Sequence, residues 1–189
     1  MQCATILLSA GKASRFGSPK QLAQLHGRSL LDWAIHHTQA AGCNPIIVVS
    51  GAYPEIVGAS LPKGILHLQN KEWRQGMLST LQCGLRALLE LGNWTHCLVF
   101  PTDMPWFTDT WIKTYAGAVS EVAQPSGIVA SAYPAGPGLP FIFPKDFAEE
   151  ILALPLDGKL RPALLNHPQL KTVPFGSHLK DVDRPEDLK

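Results

Sequence analysis

Leu7-Leu8-Ser9-Ala10-Gly11-Lys12-Ala13-Ser14-Arg15-Phe16-Gly17-Ser18-Pro19-Lys20-Gln21-Leu22-Ala23-Gln24-Leu25-His26-Gly27 runs from the end of an apolar strand into a loop punctuated by glycine and carrying two well-spaced cations. Gly11 and Gly17 allow tight turns and the close approach of another group. Successive backbone N–H groups in such a loop can converge on phosphate oxygens. Arg15 adds a forked guanidinium and Lys20 a compact ammonium. In chemical terms this is a loop for a triphosphate. It is not a Walker loop, because no Gly-Lys-Ser/Thr follows at the required offset, and it is not GxGxxG.

The charge on a nucleoside triphosphate needs more than two cations. The usual complement is a divalent metal held by carboxylates and water. Asp103 follows the short apolar run Cys97-Leu98-Val99-Phe100, and Asp183 lies in Asp181-Val182-Asp183-Arg184-Pro185-Glu186-Asp187-Leu188. In an open parallel sheet the ligand crevice lies beyond the carboxyl ends of the strands, where the strand order reverses. A carboxylate just past the strand Leu98–Phe100 would therefore face the loop after the strand Thr5–Ser9. Read alone, an Asp before Met-Pro such as Asp103 is more often a turn or helix-cap residue than a metal ligand. Asp183 is equally the cap of a terminal helical stub with proline in its first turn.

Strand and helix signals alternate outward from this stretch. Thr5–Ser9 and Pro45–Ser50 are continuous apolar runs, the pattern of strands buried on both faces of a parallel sheet. Between them Ser29-Leu30-Leu31-Asp32 opens a helix with a capping-box start. Leu30, Leu31, Ala34, Ile35 and Thr38 mark its inner face, and Gly42 stops it. A short helix follows Pro54. The pattern continues with a strand over Gly64–Gln69, a helix over Met77–Leu91, a strand over Thr95–Phe100 and a helix from Thr108 to about Val122. Gln124-Pro125-Ser126-Gly127 then turns the chain into strands over Ile128–Tyr133 and Leu139–Phe143. Gly136-Pro137-Gly138 reads as a flexible substrate-facing loop between them. Pro144 starts a helix through Leu154, Pro162–Asn166 forms a helical turn, and Lys171–Phe175 is a late strand. This alternation specifies an α/β fold: a three-layer, doubly wound, Rossmann-like and mostly parallel sheet with right-handed crossovers. No repeat, low-complexity tract or linker interrupts it, so residues 1–189 are expected to form a single domain.

Composition narrows the partners. The 189 residues are 46% hydrophobic and carry a formal net charge of +1, which argues against nucleic acid as the main partner, since polyanion binders carry a basic excess. Cys3, Cys43, Cys83 and Cys97 show neither a CxxC pair nor ligand spacing with histidine, as expected of free thiols in a cytoplasmic protein. No basic leader precedes the first strand and no run approaches the ~20 apolar residues that span a bilayer, so neither a signal peptide nor a membrane anchor is expected. His36 and His37 are successive on a helix and make a poor metal pair. Trp33, Trp73, Trp94, Trp106 and Trp111 read as packing residues.

Leu7–Lys20 resembles the signature Leu-Ala-Ala-Gly-x-Ser-x-Arg-Met-Gly-x-x-Lys of MobA-like nucleotidyltransferases. Further matches are Asn70-Lys71-Glu72-Trp73-Arg74-Gln75-Gly76-Met77-Leu78-Ser79-Thr80-Leu81, Pro101–Pro105, Gly138–Phe143 and Asp181–Leu188. The Asn-x-x-Trp-x-x-Gly-Met-x-Ser block and the continuation Lys20-Gln21-Leu22 look most like the molybdenum cofactor cytidylyltransferase branch. There are departures. Ser9 stands for alanine and Phe16 for methionine. Pro101-Thr102-Asp103 stands for the family's Gly-Asp, and Leu139 for the histidine of Gly-His-Pro. Leu156–Arg161 matches Gly-Asp-x-Gly-Ala-Arg only in part, so the nucleotide half is nearer to pattern than the acceptor half.

The resemblance implies a fold of the nucleotide-diphospho-sugar transferase type. The implied activity is Mg²⁺-dependent transfer of CMP from CTP to the phosphate of molybdopterin, with release of pyrophosphate. Lys20, Arg15 and Asp103 would be catalytic, and Asp103 and Asp183 would hold Mg²⁺. Leu8, Ser9, Ala10, Gly11, Arg15, Lys20, Asn70, Gly76 and Met77 would bind the nucleotide. A recipient molybdoenzyme or its chaperone would be a further contact. Guanylyltransferase, sugar-1-phosphate nucleotidyltransferase and a nucleotide-binding regulatory factor without catalysis are the alternatives. Spacing alone leaves Asn70 equally a turn residue after a strand, and Gly76-Met77 a helix entry with methionine in the core. Arg161, Lys159 and Asp157 are open between acceptor contact and a solvated helix start.

Overall fold

Along each central strand successive side chains enter opposite apolar layers, and the helices divide accordingly. The computed structural model describes residues 1–121, 127–174 and 176–188. Strand β1 (Cys3–Ser9) pairs in parallel with β4 (Ile46–Ser50) on one side and β6 (His96–Pro101) on the other. β5 (Leu66–Gln69) continues the first side in parallel. On the second side β8 (Gly136–Pro144) runs antiparallel to both β6 and β7 (Ile128–Tyr133), and β9 (Leu170–Pro174) lies parallel to β7. The order is β5-β4-β1-β6-β8-β7-β9, with β8 the single reversed strand. The chain leaves β1 in one direction and returns on its other side as β6, so the strand order reverses between them. That is the crevice a parallel sheet offers to a ligand.

Ile6, Leu8, Ile47, Val49, Cys97 and Val99 pack against α3 (Met77–Leu91), α5 (Phe147–Ala153) and α6 (Leu160–Asn166). Their neighbours Leu7, Val48, Leu98 and Phe100 face α1 (Leu30–Ala40), α2 (Pro54–Ser60) and α4 (Asp109–Glu121). The two-residue period of the strand produces this split, and both layers being apolar explains why the strands read as unbroken hydrophobic runs. α3 lies very close to the sheet at Gly84, where an added Cβ would stand 2.8 Å from Ile6 Cγ2 and 3.1 Å from Val49 Cγ2. The start of α1 is a capping box: the Ser29 hydroxyl accepts from Asp32 N–H at 3.0 Å, and the Asp32 carboxylate accepts from Ser29 N–H at 3.4 Å.

Two sequence expectations change, and one element is added. Gly136–Gly138 is not a flexible loop but the start of β8, with Gly136 opposite Tyr133 and Gly138 opposite Ser131. Pro134 and Ala135 make the turn. Pro144 ends β8 opposite His96, so α5 starts later, at Phe147. A two-stranded hairpin, β2 (Gln24–Leu25) and β3 (Arg28–Ser29), precedes α1. Its turn holds His26 at φ +50° and Gly27 at φ +81°, the pair of positive φ values that tight hairpins use. Val122, Gln124, Pro125, Ser126 and Phe175, placed above in helix, turn and strand, lie outside the described residues. Among the described residues no helix is long and apolar enough to cross a membrane.

Candidate active site

The loop after β1 is fixed by its carbonyls. Gln21, only 5% exposed, donates its amide Nε2 to Ser9 O at 3.0 Å and to Gly11 O at 3.1 Å. Ala52 N–H donates to the intervening Ala10 O at 3.1 Å. Peptides are planar and trans, so turning the Ser9 and Gly11 carbonyls toward Gln21 sends the N–H groups of Ala10 and Lys12 the other way. Leu8 O accepts from both Thr102 N–H at 3.2 Å and Thr102 Oγ1 at 3.3 Å, which ties the end of β1 to the segment that carries Asp103. Gly51 closes the other side, where a Cβ would stand 2.7 Å from Ala10 O and 2.6 Å from Trp73 Cβ.

Three distant segments then meet. A 3₁₀ turn over Lys20–Leu22 places Lys20 Nζ 2.7 Å from Asp103 Oδ2 and 3.4 Å from Asp183 Oδ1. Arg15 Nη1 lies 3.0 Å from Asp183 Oδ2. Asp183 is delivered by the tail: Val182 N–H donates to Asp103 O at 2.8 Å, and Val182 is buried with Leu25 and Leu30. The cap of the terminal 3₁₀ turn is not Asp183 but Asp187, whose carboxylate accepts from the N–H groups of Asp183 and Arg184, each at 2.9 Å. That leaves the Asp183 carboxylate free to face the cations. Burial alone would lower the Lys20 pKa, but the Asp103 and Asp183 carboxylates outweigh it and hold the ammonium above its ordinary value. A cavity of about 110 Å³ lies here, lined by Leu8, Ser9, Gly11, Lys20, Thr102 and Asp103 among others.

Magnesium is held characteristically by one or two carboxylates, with waters and substrate phosphates completing the shell. Asp103 and Asp183 offer such a pair, and the Lys20 ammonium between them shows that the position accepts a cation. Among the described residues no group of three or more His, Cys, Asp and Glu gathers for a metal, so the remaining ligands would come from substrate and water.

Gly76 and Met77 line a second cavity that shares Leu8, and Asn70 follows β5 at the start of the turn before them. Asn70 is 4% exposed and its amide is engaged internally. Nδ2 donates to Ser79 Oγ at 3.0 Å and Thr80 Oγ1 at 3.1 Å, and Oδ1 accepts from Glu72 N–H at 2.9 Å. It shapes the turn that leads to Gly76, whose φ of +114° suits glycine alone. Met77 is not in the core: it is 51% exposed and lines a cavity of about 590 Å³ together with Leu8, Leu81, Gly138, Leu139 and Arg161. Arg161 is held to the β7–β8 turn, donating Nη1 to Ala135 O at 2.8 Å and Nε to Pro137 O at 3.3 Å.

Gln21 and Thr102 escape a reading of residue types, because a buried amide and a hydroxyl that donate to loop carbonyls look like any polar loop residue. The position of Gln21 beside Lys20 is the single sequence cue.

Comparisons with known proteins agree with this architecture. The bifunctional protein GlmU of Caulobacter vibrioides is 47% identical over 62 residues, 32% of this chain and 13% of that protein. Nicotine blue oxidoreductase of Paenarthrobacter nicotinovorans is 31% identical over 138 residues, 70% of this chain and 63% of that one. The chain thus spans less than two thirds of the length of these curated relatives. Among solved structures, the nucleotidyl transferase Mth528 of Methanothermobacter thermautotrophicus superposes with a TM-score of 0.81 at 20% identity, covering 98% of this chain and 94% of that one. Rv0371c of Mycobacterium tuberculosis gives 0.77 at 22%, covering 99% and 95%, and its manganese complex also matches, at 0.70 and 18%, covering 93% and 89%. Molybdopterin-guanine dinucleotide biosynthesis protein A of Archaeoglobus fulgidus gives 0.72 at 15%, covering 98% and 94%. At such identities the superpositions establish the fold. The model of the MobA-like NTP transferase domain matches residues 5–172, a span that holds β1 from Thr5 onward, its cationic loop and Asp103 just past β6, and the chain belongs to the MobA-like NTP transferase family.

Proposed function

We propose that the chain transfers CMP from CTP to the phosphate of molybdopterin and releases pyrophosphate. The observation that carries the nucleotide half of this reading is the convergence of Arg15, Lys20, Asp103 and Asp183 at the crevice between β1 and β6. Phosphoryl chemistry of this kind depends on in-line alignment and charge cancellation more than on covalent help. An acceptor phosphate oxygen attacks the α-phosphorus, and the bond to the β-phosphate oxygen breaks. Arg15 holds the terminal phosphates. Lys20 moves onto the α-phosphate and the leaving group, where negative charge builds, and the amides of Ala10 and Gly11 line the cradle. Asp103 and Asp183 would hold Mg²⁺, which when bound would lower the repulsion between the acceptor oxygen and the α-phosphate. Leu8, Ser9, Asn70, Gly76 and Met77 border the base and ribose, with Asn70 acting through the turn it fixes. The choice of cytidine and of molybdopterin rests on the resemblance of the Asn70–Leu81 block and of Lys20-Gln21-Leu22. The about 590 Å³ cavity beside Met77 offers room for such an acceptor. Four free thiols fit a cytoplasmic setting.

Thermal shift with CTP, GTP, UTP and ATP in the presence of Mg²⁺ tests the base. A ligand at one hundred times its dissociation constant adds about 2.7 kcal/mol of stability, and the largest shift should come with CTP. Pyrophosphate release with CTP and molybdopterin tests the reaction. A larger shift with GTP moves the chain to the guanylyl branch. Release on a sugar 1-phosphate but not on molybdopterin overturns the acceptor, and CTP binding without turnover on either overturns catalysis.

A further inference from the structure

The position between Asp103 and Asp183 is taken by the chain's own cation. Lys20 Nζ contacts Asp103 Oδ2 at 2.7 Å and Asp183 Oδ1 at 3.4 Å, and its side chain is only 15% exposed against 27% and 46% for the two carboxylates. An ammonium offers three donors on a flexible stem. It can therefore bridge two carboxylates, as a divalent ion does, and can also swing away to a phosphate. The carboxylates cannot leave as easily. Asp103 is tied at its backbone to Val182 N–H, and Thr102 just before it is tied to Leu8 O. Asp183 is fixed by the Asp187 cap. A divalent ion arriving alone meets carboxylates already neutralised, and must either displace the ammonium or sit beside it.

We infer that Lys20 and the divalent cation compete for Asp103 and Asp183, and that nucleotide phosphates remove the competitor by drawing Lys20 onto themselves. The inference rests on the proposed metal role of the two carboxylates. Binding of nucleotide and metal is then positively coupled through one side chain, and the metal binds weakly unless a triphosphate is present. Lys20 so acts as a gate on the order of binding, besides any part it takes in the transfer step.

Mn²⁺ alone is the probe, with free Mn²⁺ read by electron paramagnetic resonance and no nucleotide present. Lys20→Met keeps the length of the stem and removes the charge, and it leaves the tail docked through Val182 N–H and the buried Val182. It is expected to bind Mn²⁺ about tenfold or more tightly than the unaltered protein, within the usual range of couplings between sites. Lys20→Arg, which retains a cation, should bind as weakly as the unaltered protein. That result separates competition from a merely structural effect of losing lysine. Adding Asp103→Asn to Lys20→Met should abolish the gain. Equal Mn²⁺ affinity in the unaltered protein and Lys20→Met, lost on Asp103→Asn, would overturn the competition while leaving the carboxylates as metal ligands. Failure of Mn²⁺ to bind any variant, with or without CTP, would remove the metal role itself and the inference with it.

Discussion

The two cavities that share Leu8 differ in almost every physical respect. The one beneath the first loop is small, about 110 Å³, and its charged lining groups are Lys20 and Asp103, with Asp183 of the tail paired to Lys20 beside it. The one beside Met77 holds about 590 Å³, is walled mainly by Leu, Met and Pro side chains, and has as its cations Lys159 and an Arg161 already engaged with two backbone carbonyls. In the first region the groups that would recognise a ligand are charges whose positions are set by where parallel strands end. In the second they are shape and a hairpin, set by packing. A nucleotide's triphosphate is common to many nucleotidyltransferases, whereas acceptors differ, so a family can keep the first region and rebuild the second.

The sharpest way to break this contrast is to remove charge from the first cavity. Lys20→Ala is expected to lower the rate of pyrophosphate release by roughly 10²–10³-fold, the usual loss when one preorganised donor goes, with circular dichroism and the far side of the molecule unchanged. Unchanged turnover in a folded variant would take Lys20 out of the reaction and leave the small cavity as scaffolding. Next comes the loop's own support. Gln21→Leu removes both donors, but Gly11 is exposed and its carbonyl can turn to water, so the cost falls chiefly on the buried Ser9 carbonyl. A loss of about 1–3 kcal/mol is expected, read as a lower urea midpoint together with weaker CTP binding. A stability loss with CTP affinity intact would mean that the loop's shape does not matter to the nucleotide. In the second region Arg161→Met removes two partly exposed hydrogen bonds and should cost only about 0.5–1.5 kcal/mol. Its signature is selective: KM for the acceptor rises and KM for CTP does not. If both rise equally, the two cavities are not the separate regions drawn above.

The same contrast explains what could be read from residues alone. Strand runs such as Leu7-Leu8 and Leu98–Phe100, the Ser29/Asp32 capping box and the Gly42 stop after α1 are local signals, each a short-range consequence of burial or backbone geometry. They placed the sheet and, through the strand ends, the meeting of Lys20 with Asp103. The second region resisted because its signals are non-local. The Gly136–Gly138 stretch has the composition of a flexible loop, yet pairing with Ser131 and Tyr133 makes it strand. Pro144 looks like a helix start, but its register opposite His96 makes it a strand end. Spacing leaves Met77 open between a nucleotide contact and the core, and only the packing of β8 and α6 around a shared cavity places it at that cavity's wall. Gln21 belongs to the same class: a buried amide that spans two carbonyls ten and twelve residues back leaves no trace in periodicity.

The smallest expected effect joins the two regions through pH. Burial, and then the charges of Tyr115, Asp181 and Asp103, push the Tyr133 phenol up to about 12 from its ordinary 10.0. Its hydroxyl donates to Leu139 O at 2.6 Å in the wall of the larger cavity. The folded state therefore keeps this phenol neutral where the unfolded chain has begun to ionise. The contribution is fully present below pH 10 and declines as pH rises toward about 12. Lys20 behaves in the same direction, because an ammonium held above its ordinary 10.5 supports the fold only while protonated. Urea midpoints followed from pH 8 upward should thus fall on the alkaline side, and Tyr133→Phe and Lys20→Met should each flatten that fall. Lys20 offsets part of the Asp103 charge that acts on Tyr133, so removing Lys20 leaves the phenol facing a barer carboxylate, and the flattening in the double variant should exceed the sum of the two. Strict additivity would show that the acidic residue at the end of β6 is felt by one cavity and not the other, and that the two regions titrate as strangers across the wall formed by Leu8.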